Sequence, residues 1–184
     1  MGYIEKYLYD LQENLSSINI KEVEQVIEVL KKARAEHKTI YTLGNGGSGS
    51  TASHFVNGLC QGATVKGKPR FKAVCLTDNI ANVLAYANDI GYEQIFVEQL
   101  KNLLSEGDIV IGFSGSGNSD NVLNAVDYAN KNKSISIGFT GFDGGKLKKN
   151  ADYGIHVKCD LMEMVEDIHL SLTHLISSYF RYEK

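Results

Sequence analysis

Two short stretches rich in glycine and serine stand out in the sequence, and the chemistry that they could perform is the binding of an anion. The first is NGGSGS at residues 45–50, and the second is SGSGNS at residues 114–119. Each follows a β-branched or apolar run and precedes a helical pattern, which predicts a strand, a tight turn and the start of a helix. Glycine lets the backbone approach a ligand closely, and the free amides and hydroxyls at a helix N-terminus favour phosphate.

The presence of two such loops is more informative than either loop alone. A single glycine-rich turn often only caps a helix, whereas ligands of open parallel sheets collect at the carboxyl ends of strands, where both loops are predicted. Neither loop has the GxxxxGK[ST] pattern. Neither combines the GxGxxG spacing, which residues 44–49 have, with an acidic residue about 20 positions further on. The sequence therefore predicts an anion site without a nucleotide cofactor.

A polar stripe lies on the last predicted helix, residues 161–180. Its apolar positions gather on one side at a helical period of about 100° per residue, and the other side holds Glu163, Glu166, Asp167 and His174. A histidine among carboxylates is a candidate for acid–base chemistry or metal binding. The alternative is a polar face that only meets solvent.

The remaining histidines receive different predictions. His54 is expected on the helix after the first loop, facing away from its apolar residues, and Gly58 one turn later leaves space beside it. His169 lies near the apolar edge of the last helix and is predicted to be packed and hydrogen-bonded. His37 and His156 have no neighbours in the sequence that suggest chemistry.

Alternating strands and helices are predicted to position these residues. Strands are expected from Thr39 and at residues 71–76, 108–113, 134–139 and 153–157, with helical patterns between them. Such alternation predicts an α/β fold with a parallel sheet that is covered on both faces. Right-handed crossovers are the expected connections.

Two amphipathic helices are predicted before the first strand, at about residues 2–18 and 20–37. Their apolar stripes need a surface to cover them. That surface is either the sheet of the same domain or a partner subunit, and the sequence leaves both open.

The composition limits the class of protein. The chain has 184 residues, 43% of them hydrophobic and 22% charged, with a formal net charge of −3. These values predict one globular domain, and the charge disfavours general nucleic-acid binding. Three separated cysteines, Cys60, Cys75 and Cys159, are typical of reduced thiols in a cytoplasmic protein. We expect no signal peptide and no membrane-spanning segment.

Seven motifs, taken together, resemble the SIS (sugar isomerase) domain family, and within it the phosphoheptose isomerases. They run along nearly the whole chain in the family's order. They are GNGGS at residues 44–48, ASHF at 52–55, TD at 77–78, ANDIGY at 87–92, SGSGNSDNVL at 114–123, TGFDGG at 140–145 and EDIHLSLTH at 166–174.

The resemblance implies a three-layer α/β sandwich of the SIS or flavodoxin-like type, with a five-stranded parallel sheet and two N-terminal helices. It implies one SIS domain over residues 1–184 and a homotetramer built partly through residues 1–37, with active sites at subunit boundaries. Family positions for substrate binding map onto Asn45, Gly46, Gly47, Ser48, Asp78, Asn88, Asp89, Ser114, Gly115, Ser116 and Ser119.

The resemblance also implies a zinc site and an acid–base pair near the sugar. His54 and His174 match the family's two histidine ligands, and Glu166 stands where a glutamine ligand is usual. The family's catalytic glutamate and a following arginine are replaced here by Gly58 and Gly62. We therefore assign Glu166 as the candidate base and His174 as the candidate acid.

Two functions follow from the resemblance. The first is the aldose–ketose isomerisation of a phosphorylated sugar, such as sedoheptulose 7-phosphate, through an enediol. The second is a non-catalytic sugar-phosphate sensor or tetrameric scaffold, of the kind that associates with a bacterial replication initiator. The glycine at position 58 favours the second function, and the retained histidines and carboxylate favour the first.

Overall fold

The computed structural model describes residues 1–182 and contains one five-stranded sheet. Its strands are all parallel and lie in the order β2-β1-β3-β4-β5. Their bounds are β1 Thr39–Gly44, β2 Lys72–Cys75, β3 Ile109–Ser114, β4 Ile135–Thr140 and β5 Tyr153–His156. The predicted α/β class and the five-stranded parallel sheet are thus confirmed.

The helices cover both faces of this sheet. Their bounds are α1 Tyr3–Ser16, α2 Ile20–Ala35, α3 Gly46–Asn57, α4 Ile80–Asp89, α5 Ile95–Leu103, α6 Asp120–Lys131, α7 Leu147–Asn150 and α8 Met162–Tyr182. Helices α2, α3 and α8 share one apolar core with the sheet, and α5 and α6 share a second core on the other face. The result is the predicted three-layer sandwich.

Several elements differ in detail from the expectation. A π-helical turn, Gly58–Gly62, extends α3, and a 3₁₀ turn, Tyr92–Gln94, precedes α5 where one continuous helix was predicted. The short helix α7 was not predicted. None of the helices in the described part of the chain is long and apolar enough to cross a membrane.

The two N-terminal helices pack differently. Helix α2 buries Val26 and Leu30 completely against its own domain, whereas α1 buries none of its residues. Tyr3, Ile4 and Leu8 of α1 are 80%, 74% and 61% exposed. Of the two alternatives left open by the sequence, packing on the same domain holds for α2. The apolar face of α1 stays largely uncovered within one chain.

His169 is packed and hydrogen-bonded, as predicted. It is 1% exposed, its ring lies against Phe113 and Phe139, and its Nε2 donates to the carbonyl oxygen of Thr140 at 3.3 Å. Burial lowers the pKa of His169 to about 4, because the charged imidazolium loses its hydration there. The folded protein therefore holds this histidine neutral.

This histidine makes stability depend on pH. Its folded-state pKa of about 4 lies below the ordinary value of 6.5, so the unfolded chain binds a proton first as the pH falls. We expect the free energy of unfolding to drop by about 3 kcal/mol between pH 6.5 and pH 4 from this group alone. Urea titrations across that range should show a shallower drop in His169→Met. An equally steep drop in the variant would contradict the assignment.

Candidate active site

A cleft of about 470 Å³ opens beside α3, at the carboxyl edge of the sheet. It is bounded by the first loop and α3 on one side and by the turn after β2 on the other. Asp78 in that turn accepts a hydrogen bond from Ser53 Oγ at 3.1 Å. The lining residues are Gly46, Gly49, Ser50, Ser53, His54, Asn57, Thr77 and Asp78.

The first loop turns sharply from β1 into α3. A Cβ on Gly44 would lie only 2.7 Å from the carbonyl oxygen of Ser48, so the close approach of strand and helix requires a glycine. Gly46 and Gly47 are exposed, and Ser48 is buried at 6% exposure. The free amides of the helix N-terminus, rather than the Ser48 hydroxyl, are the groups that this loop offers to a ligand.

The second loop lies next to the first because β1 and β3 are neighbouring strands. Ser114 Oγ and Ser119 Oγ are 3.2 Å apart, and Ser116 Oγ accepts from the backbone amide of Asn118 at 3.3 Å. Ser114 and Gly115 are buried, whereas Ser116 and Ser119 are partly exposed. The loop therefore has two serine hydroxyls near the surface at the N-terminus of α6.

Two histidines meet across the contact between α3 and α8. His54 Nε2 and His174 Nε2 are 2.7 Å apart, and their rings are arranged edge to face. Both residues are exposed. An imidazole pair at this distance can share a proton, with one ring as donor and the other as acceptor, so it can exchange protons with a ligand in the cleft.

Helices α3 and α8 run side by side in the same direction. A Cβ on Gly47 would overlap the carboxylate of Glu166, and a Cβ on Gly58 would approach Ser177 Oγ, with the histidine pair between these two contacts. Glu166 precedes His174 by eight residues, which corresponds to about 12 Å along a helix. The candidate base is therefore half-buried beside the first loop, and the candidate acid is near the middle of the helix contact.

The carboxylates expected around His174 have other surroundings. Asp167 accepts a hydrogen bond from Tyr7 of α1 at 3.0 Å, and Glu163 is exposed near the start of α8. The structure thus pairs His174 with His54 rather than with the carboxylate stripe of its own helix.

The predicted zinc ligands are only partly brought together. Catalytic zinc sites keep about three protein ligands, but His54 and His174 provide two. Across residues 1–182 no group of three His, Cys, Asp or Glu side chains is placed to hold a metal ion. The side chains as they stand in one chain therefore do not fit a zinc site.

The remaining predicted site residues do not line this cleft. Asn88 and Asp89 are exposed at the end of α4, where Asn88 Nδ2 donates to Asp89 Oδ1 at 2.8 Å. Asn45 is engaged by other side chains at the base of the first loop. The sequence did not identify Ser53, Thr77 or the polar partners of Asn45 as site residues. Most of them nevertheless lie within or beside the motifs that carry the family resemblance.

The contact between Gly58 and Ser177 explains why the residue at position 58 has no side chain here. A Cβ would lie 3.2 Å from Ser177 Cβ, and even closer to its hydroxyl. Alanine normally stabilises a helix by about 1 kcal/mol relative to glycine. We expect Gly58→Ala instead to destabilise the protein by about 1 kcal/mol, because the two helices must separate.

The double variant tests this explanation. In a Ser177→Ala background, Gly58→Ala should cost less or become stabilising, because the hydroxyl is gone. Thermal unfolding of the four proteins gives the coupling between the two positions. Additive effects would show that contact with Ser177 is not the reason why alanine is unfavourable at position 58.

Comparison with known proteins shows which family the chain belongs to. The SIS domain family matches residues 3–141. A probable phosphoheptose isomerase from Thermoplasma acidophilum is 34% identical over 171 residues, covering 93% of each chain. A phosphoheptose isomerase from Thermodesulfovibrio yellowstonii is 37% identical over 162 residues, covering 86% of this chain and 78% of that protein.

A solved structure agrees with these relatives. A phosphoheptose isomerase from Francisella tularensis superposes with a TM-score of 0.89 at 26% identity, covering 98% of this chain and 95% of that one. The agreement extends over the whole sheet and both helical layers. The chain therefore belongs to the SIS-domain family and, within it, to the phosphoheptose isomerases.

Proposed function

We propose that this chain catalyses the aldose–ketose isomerisation of a phosphorylated sugar, and that its substrate is sedoheptulose 7-phosphate. The observation that carries the proposal is the His54–His174 pair, which lies beside a cleft at the same sheet edge as the two serine-rich loops. The substrate of the curated relatives is indicated by their name, phosphoheptose isomerase.

The phosphate is assigned to the two loops. Backbone amides at the N-termini of α3 and α6 and the hydroxyls of Ser116 and Ser119 supply donors for its oxygens. Binding at a group remote from the reacting carbons provides energy that can orient the sugar for reaction. The two loops are thus the binding part of the site, and the reacting end of the sugar extends toward α8.

The reaction is a proton transfer between neighbouring carbons. Glu166 removes a proton from C1 of the ketose, His174 donates a proton to the C2 oxygen, and an enediol forms. Return of a proton to C2 and loss of the proton on the C1 oxygen give the aldose.

The zinc that the resemblance implies would be held by His54 and His174, the two imidazoles that one chain brings together, and by a third ligand. Metal analysis of the purified protein decides this point. Stoichiometric zinc would require Glu166 or a residue of another subunit as the third ligand.

The assembly is proposed to be a homotetramer with its sites at subunit boundaries. The uncovered apolar residues of α1 and those of α4, where Ile80 and Leu84 are 67% and 64% exposed, support the proposal. Asn88 and Asp89 lie at the end of α4, so a neighbouring subunit is where these candidate ligands would act. We expect the protein to work in the cytoplasm, because its three cysteines are free.

The second candidate function is a sugar-phosphate sensor or scaffold without turnover. It is favoured by Gly58, where the resemblance leads us to expect a glutamate and Ser177 now occupies the space. Assays of the wild-type protein with a panel of phosphosugars separate the two functions. Turnover of sedoheptulose 7-phosphate supports the isomerase, and tight binding without turnover of any sugar supports the sensor.

A further inference from the structure

Three segments that carry candidate substrate-binding residues are joined by one small cluster of polar side chains. Asn45 belongs to the first loop, Asn121 follows the second loop on α6, and Tyr92 follows the Asn88–Asp89 segment. Tyr92 and Asn121 both bond to the same oxygen of Asn45. We refer to Asn45, Tyr92 and Asn121 as the loop junction.

Asn121 is the buried member of the loop junction, at 2% exposure. Its Nδ2 donates to Asn45 Oδ1 at 2.9 Å, and its Oδ1 accepts from Asn45 Nδ2 and from the backbone amide of Val122, also at 2.9 Å. A buried amide that lost these partners would carry the cost of unpaired polar atoms. The position of Asn45 is therefore strongly tied to the start of α6.

Tyr92 is the exposed member of the loop junction. Its hydroxyl donates to Asn45 Oδ1 at 2.9 Å, while its side chain remains 55% exposed. The chain reaches this position through Gly91, whose φ of 140° is a conformation that L side chains rarely adopt. Asn124 of α6 holds the same turn by donating to the carbonyl oxygen of Glu93 at 3.0 Å.

The side chain of Asn45 is largely occupied by these contacts. Its oxygen accepts two hydrogen bonds, and its nitrogen donates one. Gly46 and Gly47, which follow it directly, are exposed at the start of α3. A ligand at the first loop therefore meets the backbone amides after Asn45 more readily than the Asn45 amide group.

We propose that Tyr92 and Asn121 are positioning residues that hold Asn45 in place. Through Asn45 they keep the backbone amides at the start of α3 at a fixed distance from the second loop. This assignment rests on the proposed function, because it concerns the binding of the same sugar phosphate. Neither residue needs to touch the substrate. Both act through a shared partner, so their effects should be coupled.

Kinetics of Tyr92→Phe, Asn121→Ala and the double variant test the coupling. Tyr92→Phe removes one hydrogen bond to Asn45, and Asn121→Ala removes two. Each single change is expected to raise the KM for sedoheptulose 7-phosphate at least about fivefold, with kcat changed by less than about twofold. The double variant should raise KM by clearly less than the product of the two. Unchanged KM in both single variants, or fully multiplicative effects, would overturn the proposal.

Matched controls use the same residue types away from the loops. Tyr86→Phe removes a hydroxyl that accepts from Asn102 at 3.4 Å, and Asn130→Ala removes a side chain of α6 that bonds to the carbonyl oxygen of Asn150. Both controls should keep the wild-type KM. A KM increase of similar size in the controls would mean that the effect is not specific to the loop junction, which would also overturn the proposal.

Hydrogen exchange gives a readout that does not depend on turnover. In Tyr92→Phe and Asn121→Ala, amides of residues 45–50 and 114–121 should exchange at least about threefold faster than in the wild type, while the β-sheet amides keep their protection. Unchanged exchange at both loops would overturn the loop junction whatever the enzyme does. A wild-type protein that neither binds nor converts sedoheptulose 7-phosphate, but shows the faster exchange in the variants, would instead refute the proposed function.

Discussion

Replacement of His174 by alanine is expected to lower kcat for sedoheptulose 7-phosphate by about 10²–10⁴-fold, because the reaction loses its proton donor to the sugar oxygen. The variant also removes one ring of the imidazole pair, whose nitrogens are 2.7 Å apart, and leaves His54 without its partner. His174 is exposed, so the change should leave the fold intact. Steady-state assays with circular dichroism as a check on folding measure the effect.

Two further variants define what this result means. His37→Asn changes an exposed histidine far from the cleft, in a left-handed conformation that asparagine tolerates, and should keep full activity. Glu166→Gln removes the candidate base without changing its size, and should lower kcat by a factor similar to that of His174→Ala. Full turnover in both Glu166→Gln and His174→Ala would remove the acid–base mechanism.

The sequence predicted the parts of the fold that depend on local pattern. The alternation of apolar strands with helical patterns was enough to predict the parallel sheet, and the glycine-serine loops marked the carboxyl ends of β1 and β3. These signals are strong because burial on both faces and tight turns each restrict the residue types allowed. The core position of His169 followed from the same periodicity.

Contacts between distant segments were harder to predict. The helical wheel of α8 gave the face on which His174 lies but not the helix opposite it, so the carboxylate stripe was expected to surround a residue that in fact pairs with His54. The crossing of α3 and α8 depends on the small residues Gly47 and Gly58, which allow the helices to approach. A single sequence shows that these residues are small, but not what they touch.

The loop junction was missed for a related reason. Asn121 and Tyr92 lie within motifs that carry the family resemblance. An asparagine in the first turn of a helix and a tyrosine after a glycine nevertheless have ordinary local explanations. Their role becomes visible only when three segments separated by 29 to 76 residues meet at Asn45. Hydrogen-bonded side-chain clusters of this kind have no sequence period, so pattern analysis has no signal to detect.

Replacement of Gly117 by alanine is expected to weaken binding of the sugar phosphate by about 100-fold and to destabilise the protein by about 2–4 kcal/mol. Gly117 has a φ of 66°, and a Cβ there would overlap the carbonyl oxygen of Gly144 in the loop after β4. That loop is held in turn, because Leu147 donates its amide to the Gly117 oxygen at 2.9 Å. If either loop moved aside to make room for the Cβ, the hydrogen bond between Leu147 and Gly117 would be lost.

The matched control for Gly117 is Gly67→Ala. Gly67 also has a positive φ, of 85°, but within residues 1–182 no atom beyond its chain neighbours lies within 4 Å of the place where its Cβ would be. Gly67→Ala should therefore cost only backbone strain, about 1 kcal/mol, and leave phosphosugar affinity unchanged. Calorimetric titration with sedoheptulose 7-phosphate and thermal unfolding of both variants separate the two effects. Equal losses of affinity in the two variants would mean that the close contact between Gly117 and Gly144 does not determine the conformation of the second loop.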